Sequence, residues 1–303
     1  MTQKINKTSK IKDTAGDRVY IIIVHTVLVL CTLACVLPVL HVISESFSSS
    51  SAIIRQKVFF WPVEICVDSY KLMLQNSRVI TALVNSVVIT AVGVVLQTIG
   101  TTMASYPLSK PYMYGRRAFS LLFVFARIFA SGMIPLYLLT AQLGLLNSYW
   151  SIWLPGLVSV YNTMILRTQF ESVPAEIYES ARIDGAGEWR IMLQMYVPLS
   201  KATYAALILF SIVDYWNTFR NILLYISDSS RHNLAVYVQN MIDQQKALTE
   251  LNANADIMDA GIDTVEKGVQ AAGIVVLILP IFILYPFLQR YFTKGVMIGA
   301  IKG

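Results

Sequence analysis

The sequence predicts an all-α integral membrane protein with six transmembrane helices and both termini in the cytoplasm. Three observations carry that expectation. The 303 residues are 55% hydrophobic and only 14% charged, with a mean hydropathy of +0.57, an apolar surplus beyond what a soluble core requires. The apolar residues fall in six runs, most of them near or above the roughly 20 residues a helix needs to cross hydrocarbon. Lysine and arginine then favour alternate connecting segments, which orients the runs.

Lys4, Lys7, Lys10, Lys12 and Arg18 form a cationic segment over residues 1–18, ahead of the first run, Val19–Ile43. That run is too long for a signal-peptide h-region, and the "SESFSSSSA" after it is a polar loop rather than a cleavage site, so it reads as a retained span. Cys31 and Cys35 lie one helical turn apart inside it and Cys66 stands alone outside, which implies no disulfide framework. The outer segment Ser44–Arg78 leads to the second run, Val79–Tyr106, which is followed by Lys110, Arg116 and Arg117 on the cytoplasmic side. The third run, Ala118–Ala141, turns through the uncharged "QLGLLNS" into the fourth, Tyr149–Leu166, the shortest and the one interrupted by Pro155-Gly156. Arg167, Arg182, Arg190 and Lys201 mark residues 169–200 as cytoplasmic. The fifth run, Ala202–Tyr225, leads to an external loop over 226–270. The sixth, Ala271–Phe292, leads to a cytoplasmic tail over 293–303 carrying Lys294 and Lys302. The six-span domain thus covers 19–292. The net charge of +6 is mostly this topological signal and gives no ground for nucleic-acid binding.

The chain holds no phosphate loop, no His-Glu-x-x-His, no Gly-x-Ser-x-Gly and no paired Cys-x-x-Cys. It therefore has no ATPase of its own, no catalytic residues and no cofactor motif. His25, His41 and His232 are scattered, so no metal site is expected.

One polar block interrupts the oil: "EIYESARIDGAGEW", from Glu176 to Trp189. Pro174 suits the start of a helix, because it has no N–H to leave unpaired there. The helix runs from Ala175 to Ile183, and Gly185 offers the left-handed residue that ends it. A second short helix begins at Gly187 or Glu188 and reaches Tyr196, and Pro198 marks the start of the fifth span. Ile177, Tyr178 and Ala181 make a modest apolar stripe among Glu176, Glu179, Arg182 and Asp184, a surface suited to docking on another protein. The plain alternative is a solvated loop.

Glu179-Ser180-Ala181, three residues, Gly185, nine residues and then Met195-Tyr196-Val197-Pro198 resembles the "EAA" signature, Glu-Ala-Ala-x3-Gly-x9-Ile-x-Leu-Pro, of permease subunits in binding-protein-dependent ABC importers. Ser180, Met195 and Val197 depart from it conservatively. "ASYPLSK", "GLLNSYWSIWLPG", "DYWNTF" and the ending "YPFLQRYFTKGVMIGAIKG" are similar to the carbohydrate-uptake branch, closest to systems that import oligosaccharides or polysaccharide fragments in Gram-positive bacteria. The resemblance implies the type I ABC importer permease fold in the cell membrane. It also implies a second homologous permease subunit, two cytoplasmic ATP-binding subunits and an external solute-binding protein as partners. The polar block becomes the coupling helix, with Glu176, Tyr178, Glu179, Ala181, Asp184, Gly185 and Pro198 as its ATPase-coupling residues, and the tail reaches the ATPase interface. A non-sugar solute, or a secondary transporter that needs no ATPase, are the rival readings.

Arg127 in the third run and Asp214 in the fifth lie at membrane depth, where a charge costs about 2.5–3.5 kcal/mol on insertion scales. They pair with each other as helix glue, or they line the solute path with Tyr215, Trp216 and Asn217, whose aromatic faces and amide suit either packing or sugar contact. The resemblance also assigns the outer loop after the fifth run to contact with the binding protein. Leu234, Val238, Met241 and Ile242 recur at helical spacing and fold its first half back on the spans. The second half, with Asn252, Asn254, Asp256, Asp259 and Asp263, is small and polar and is the candidate contact.

Overall fold

The computed structural model describes residues 15–129, 131–253 and 262–300, and among them every element is helical. The chain divides into two compact units, one of residues 1–70 with 259–272 and the other of 71–258 with 273–303.

In the first unit α1 (Ala15–Ser46) carries the first apolar run. It is apolar on every side, and none of its most hydrophobic 18-residue window is buried. A short cap follows, built on α2 (Ser50–Ile54), whose Ala52 and Ile53 pack with Val58 and Val63. Serine hydroxyls supply its turns: Ser48 Oγ accepts from the Val63 N–H at 3.0 Å, and Ser51 Oγ donates to Glu64 at 2.8 Å.

The second unit is organised around α4 (Ser77–Ser109), which follows the short α3 (Asp68–Gln75). Its buried face repeats every three to four residues through Ala82, Ser86, Ile89, Gly93, Gln97 and Thr101. Small and hydroxylic residues on that face let neighbouring backbones approach and supply hydrogen bonds where lipid supplies none. Thus Thr102 Oγ1 meets Tyr204 Oη at 2.8 Å, Ser105 Oγ donates to the Thr163 carbonyl at 3.1 Å, and Gln97 Nε2 donates to the Gly156 carbonyl at 2.9 Å.

Around it stand α5 (Arg116–Ile128), α6 (Met133–Gln142), α7 (Trp150–Gly156), α8 (Val160–Glu171), α9 (Ala175–Ile183), α10 (Glu188–Leu199), α11 (Lys201–Trp216), α12 (Arg220–Tyr225) and α13 (Leu234–Ala253). The last helix, α14, spans Ile262–Ala300.

Among the described residues three helices are alone long and apolar enough to cross a membrane: α1, α4 and the 267–287 stretch of α14. Counting two bent pairs, α5 with α6 and α10 with α11, raises the number to five. The expected fourth span is divided between α7 and α8, of 7 and 12 residues. Pro155-Gly156 precedes that break, and the missing side chain at Gly156 is occupied by Tyr215, whose hydroxyl would lie 2.4 Å from a Cβ there. The expected fifth span likewise stops at Trp216 and resumes at Arg220. The segment after α12 behaves as its periodicity predicts at first, since Leu234 and Val238 are buried along α13.

A capped corner, a caged lysine and a membrane-depth cavity

The polar block folds from local signals. Pro174 caps α9, and the helix ends in a paired turn: the Gly185 N–H bonds the Arg182 carbonyl at 3.1 Å and the Ala186 N–H bonds the Ala181 carbonyl at 2.9 Å. That 6→1 and 5→2 arrangement needs a left-handed residue between the two strokes, and Gly185 supplies it at φ +76°. After Gly187 the chain re-enters helix as α10, whose centre, Met192–Tyr196, is wound as π-helix. Pro198 lies just beyond and has no N–H to give to the carbonyl one turn back, so the wider turn accommodates it. The next break falls at Ser200 rather than at the proline, and α10 meets α11 at 83°.

The apolar stripe of α9 faces inward. Ala181 is buried among Leu166, Phe170, Ile191 and Tyr196, with Tyr178 packed at the edge of the same cluster. Of the stripe that periodicity read as a docking surface, Ala181 goes into the chain's own core, while Ile177 and Tyr178 stay half-buried. The face left open carries Glu176, Glu179, Asp184 and Ile183, the last 86% exposed.

Behind that stripe lies a group that spacing along the chain could not reveal. Lys110, which caps α4 at its C-terminus, is only 6% exposed, and its Nζ stands 3.7 Å from the Tyr196 ring centroid, 4.3 Å from Tyr178 and 4.6 Å from Tyr106. Ring faces attract an ammonium at such distances. Glu188, the first residue of α10, accepts hydrogen bonds from Tyr178 (2.6 Å), Tyr106 (2.7 Å) and Tyr112 (3.2 Å). Burial pulls the Lys110 pKa down to about 8, opposed by the Glu188 charge. Burial pushes the Glu188 carboxyl up, but the three phenols and the Lys110 charge outweigh it and hold the acid below its ordinary value. Nearby, Glu171 collects Arg116 and Arg167, so cations that the sequence offered only as a topological signal are also structural.

A second feature lies between α4, α7 and α11. A cavity of about 230 Å³ is bordered by Gln97, Ser151, Asp214, Tyr215, Thr218 and Asn221, among others. At its wall Tyr215 Oη and Gln97 Oε1 are buried with no hydrogen-bond partner among the described residues. Of the residues singled out from sequence, Asp214 and Tyr215 border this cavity, whereas Trp216 is a packing residue whose indole N–H donates to the Leu277 carbonyl at 2.9 Å. Asn217 caps α11. Arg127 is exposed on α5, and no ion pair joins it to Asp214 among the described residues, so the pairing read from similar depth is not made within this chain.

Asn254, Asp256 and Asp259 lie outside the described residues, and for Asn252 and Asp263 only the helical backbone is described. No group of His, Cys, Asp and Glu able to hold a metal occurs among the described residues.

Comparison with known proteins places this geometry. Residues 98–298 match the family described as binding-protein-dependent transport system inner membrane component. The chain is 31% identical over 287 residues to the polygalacturonan/rhamnogalacturonan transport system permease protein YtcP of Bacillus subtilis, covering 95% of this chain and 99% of that one. It is 30% identical over 273 residues to the arabinooligosaccharides transport system permease protein AraQ of Halalkalibacterium halodurans, covering 88% and 91%. Its fold superposes with a TM-score of 0.82, at 31% identity and over 93% of this chain and 99% of the other, on a chain of a bacterial ABC transporter involved in the import of the acidic polysaccharide alginate.

Proposed function

Because the chain belongs to the family of inner membrane components of binding-protein-dependent transport systems, we propose that it is one of two permease subunits in an ATP-driven importer of a sugar or oligosaccharide. An external binding protein delivers the solute, and two cytoplasmic ATP-binding subunits drive its passage. The chain itself is a non-catalytic membrane subunit, and hydrolysis belongs to its partners.

In this reading the 19–292 domain crosses the plasma membrane six times, with residues 1–18, 169–200 and 293–303 in the cytoplasm and 226–270 outside. The broken helices then count as spans, since irregular backbone at membrane depth is tolerated where it is buried in protein or borders a cavity. The cavity beside Asp214 and Tyr215 is a stretch of the solute path, where sugar hydroxyls exchange hydrogen bonds with unpartnered polar groups. The partner permease closes its other side and covers Arg127. Asn252, Asn254, Asp256, Asp259 and Asp263 belong to the segment that meets the binding protein.

The observation that carries the proposal is the α9–Gly185–α10 corner. A subunit without a nucleotide site needs a rigid handle for an ATPase, and this corner turns its inward face into the core while leaving Glu176, Glu179, Ile183 and Asp184 open. Two ATPase conformations can then bias two permease conformations. The test is purification of the intact complex from membranes, followed by identification of the carbohydrate eluted from its binding protein. Two permeases, two ATP-binding subunits and a bound sugar are expected. Transport by this chain alone in liposomes overturns the reading.

A further inference from the structure

Lys110 ties together elements that are far apart in the chain. Its ammonium touches Tyr106 from α4, Tyr178 from α9 and Tyr196 from α10, and Glu188 at the start of α10 accepts from phenols of the first two elements. A merely adhesive contact would be made more cheaply by a leucine, since burying an ammonium costs free energy that apolar packing does not. A bidentate ion pair would fix direction. Three ring faces hold the ammonium from different elements without a fixed hydrogen-bond geometry, so it keeps a partner when one element shifts against another.

Room for such movement exists. A largely apolar cavity of about 390 Å³ adjoins the cage and is bordered by Met103, Met113, Trp189 and Met192 as well as Lys110 and Glu188. Methionine walls adapt to changes of shape. The far end of the connection is also defined. The same α4 that ends at Lys110 carries Gly93, packed on the Tyr215 ring, and Gln97, which borders the cavity between α4, α7 and α11.

We propose that Lys110, held by Tyr106, Tyr178 and Tyr196 and steadied by Glu188, is a sliding joint that delivers displacement of α9 to α4 and thus to the cavity wall at Gln97 and Tyr215. Lys110 is a positioning residue for coupling and touches no solute. The inference rests on the reading of α9 as the element an ATPase grips.

The test uses the whole transporter in nanodiscs, with Cys31, Cys35 and Cys66 replaced by serine and a bimane label on Ile80→Cys, an exposed site at the opposite end of α4 from Lys110. ATP with orthovanadate is the probe, so no solute need be known. The bimane emission is expected to shift in the unsubstituted chain and in Lys110→Arg, and to lose most of that shift in Lys110→Met while the ATP-binding subunits still co-purify in full amount. A shift in Lys110→Met equal to that of the parent, or no shift in the parent, overturns the joint. So does equal loss in the arginine variant, which would make shape rather than charge decisive, or loss of the ATP-binding subunits from Lys110→Met, which would make the cage a static brace. If the parent complex itself purifies without ATP-binding subunits, the reading of α9 fails and takes the joint with it.

Discussion

Two glycines are required for opposite reasons, and the difference is measurable. At Gly185 nothing stands within 4 Å of an added Cβ, but the backbone is left-handed at φ +76°, which costs an L-residue about 1–2 kcal/mol and a β-branched one most. Gly185→Val should therefore insert normally yet lose solute-stimulated ATP hydrolysis, while Gly185→Asn, which tolerates that conformation, keeps it; Glu179→Lys should uncouple by charge alone. At Gly156 the backbone is ordinary and the obstacle is the Tyr215 hydroxyl at 2.4 Å. Gly156→Ala should lower the thermal stability of the complex by an overpacking cost of roughly 1–3 kcal/mol and leave ATPase co-purification intact, as a melting curve beside a pull-down would register. Glu188 gives a pH signature. Its folded pKa lies below the ordinary 4.5, so its stabilisation is fully present above that value and is lost as pH falls through the lowered one. Melting temperatures measured from pH 7 down to pH 4 should begin this loss near the acid end in the parent chain, and Glu188→Gln should lack that component.

Among the elements, those set by local chemistry were legible and those set by packing were not. The bounds of α9 follow from Pro174 and Gly185, whose backbone preferences act within a few residues, and the burial of Leu234 and Val238 follows from helical periodicity. Hydropathy, in contrast, counts apolar side chains and is blind to the path of the backbone through them. The breaks between α5 and α6 and between α11 and α12 therefore hid inside continuous apolar runs, whereas Pro155-Gly156 marked the one between α7 and α8. Arg127 and Asp214 were expected at a similar depth, and depth alone suggested a pair that is not made among the described residues. The lysine cage was illegible because Tyr106, Tyr178, Glu188 and Tyr196 converge only after three elements, α4, α9 and α10, pack. The π-wound centre of α10 is legible in retrospect from Pro198, and it offers its own test. Pro198→Ala restores an N–H and lets the segment rewind toward α-helix, turning Tyr196 relative to Lys110. Slower amide exchange over 192–196 together with weaker solute stimulation of ATP hydrolysis is the expected result.

At the scale of the whole molecule, the bare surface of α1 stands out. Of the three self-sufficient spans, α4 buries 39% of its most apolar window and the α14 stretch 22%, while α1 buries none. A helix apolar on all sides needs lipid or another subunit around it. Two excisions test the remaining peripheral assignments. Deletion after Phe292 should lower coupled uptake while leaving membrane insertion unchanged. Replacing residues 252–264 with a Gly/Ser linker of equal length should spare ATPase assembly and weaken stimulation by the loaded binding protein; full stimulation would place that contact in the first outer segment, 44–78. The polar face of α4 finally bears on how the chain is made. Thr102 and Ser105 each bond a carbonyl of their own helix as well as a later partner, so their hydroxyls are satisfied from the moment the helix forms. Gln97 has no such interim arrangement: its amide waits for the Gly156 carbonyl, 59 residues further on. At about 5–20 residues per second of synthesis, the nascent helix spends several seconds in the bilayer with a naked carboxamide. The consequence is one of order: α4 reaches its final environment only after α7 has been made, so a chain stopped before Gly156 should be degraded faster in cells than one stopped after it, as a pulse-chase would register.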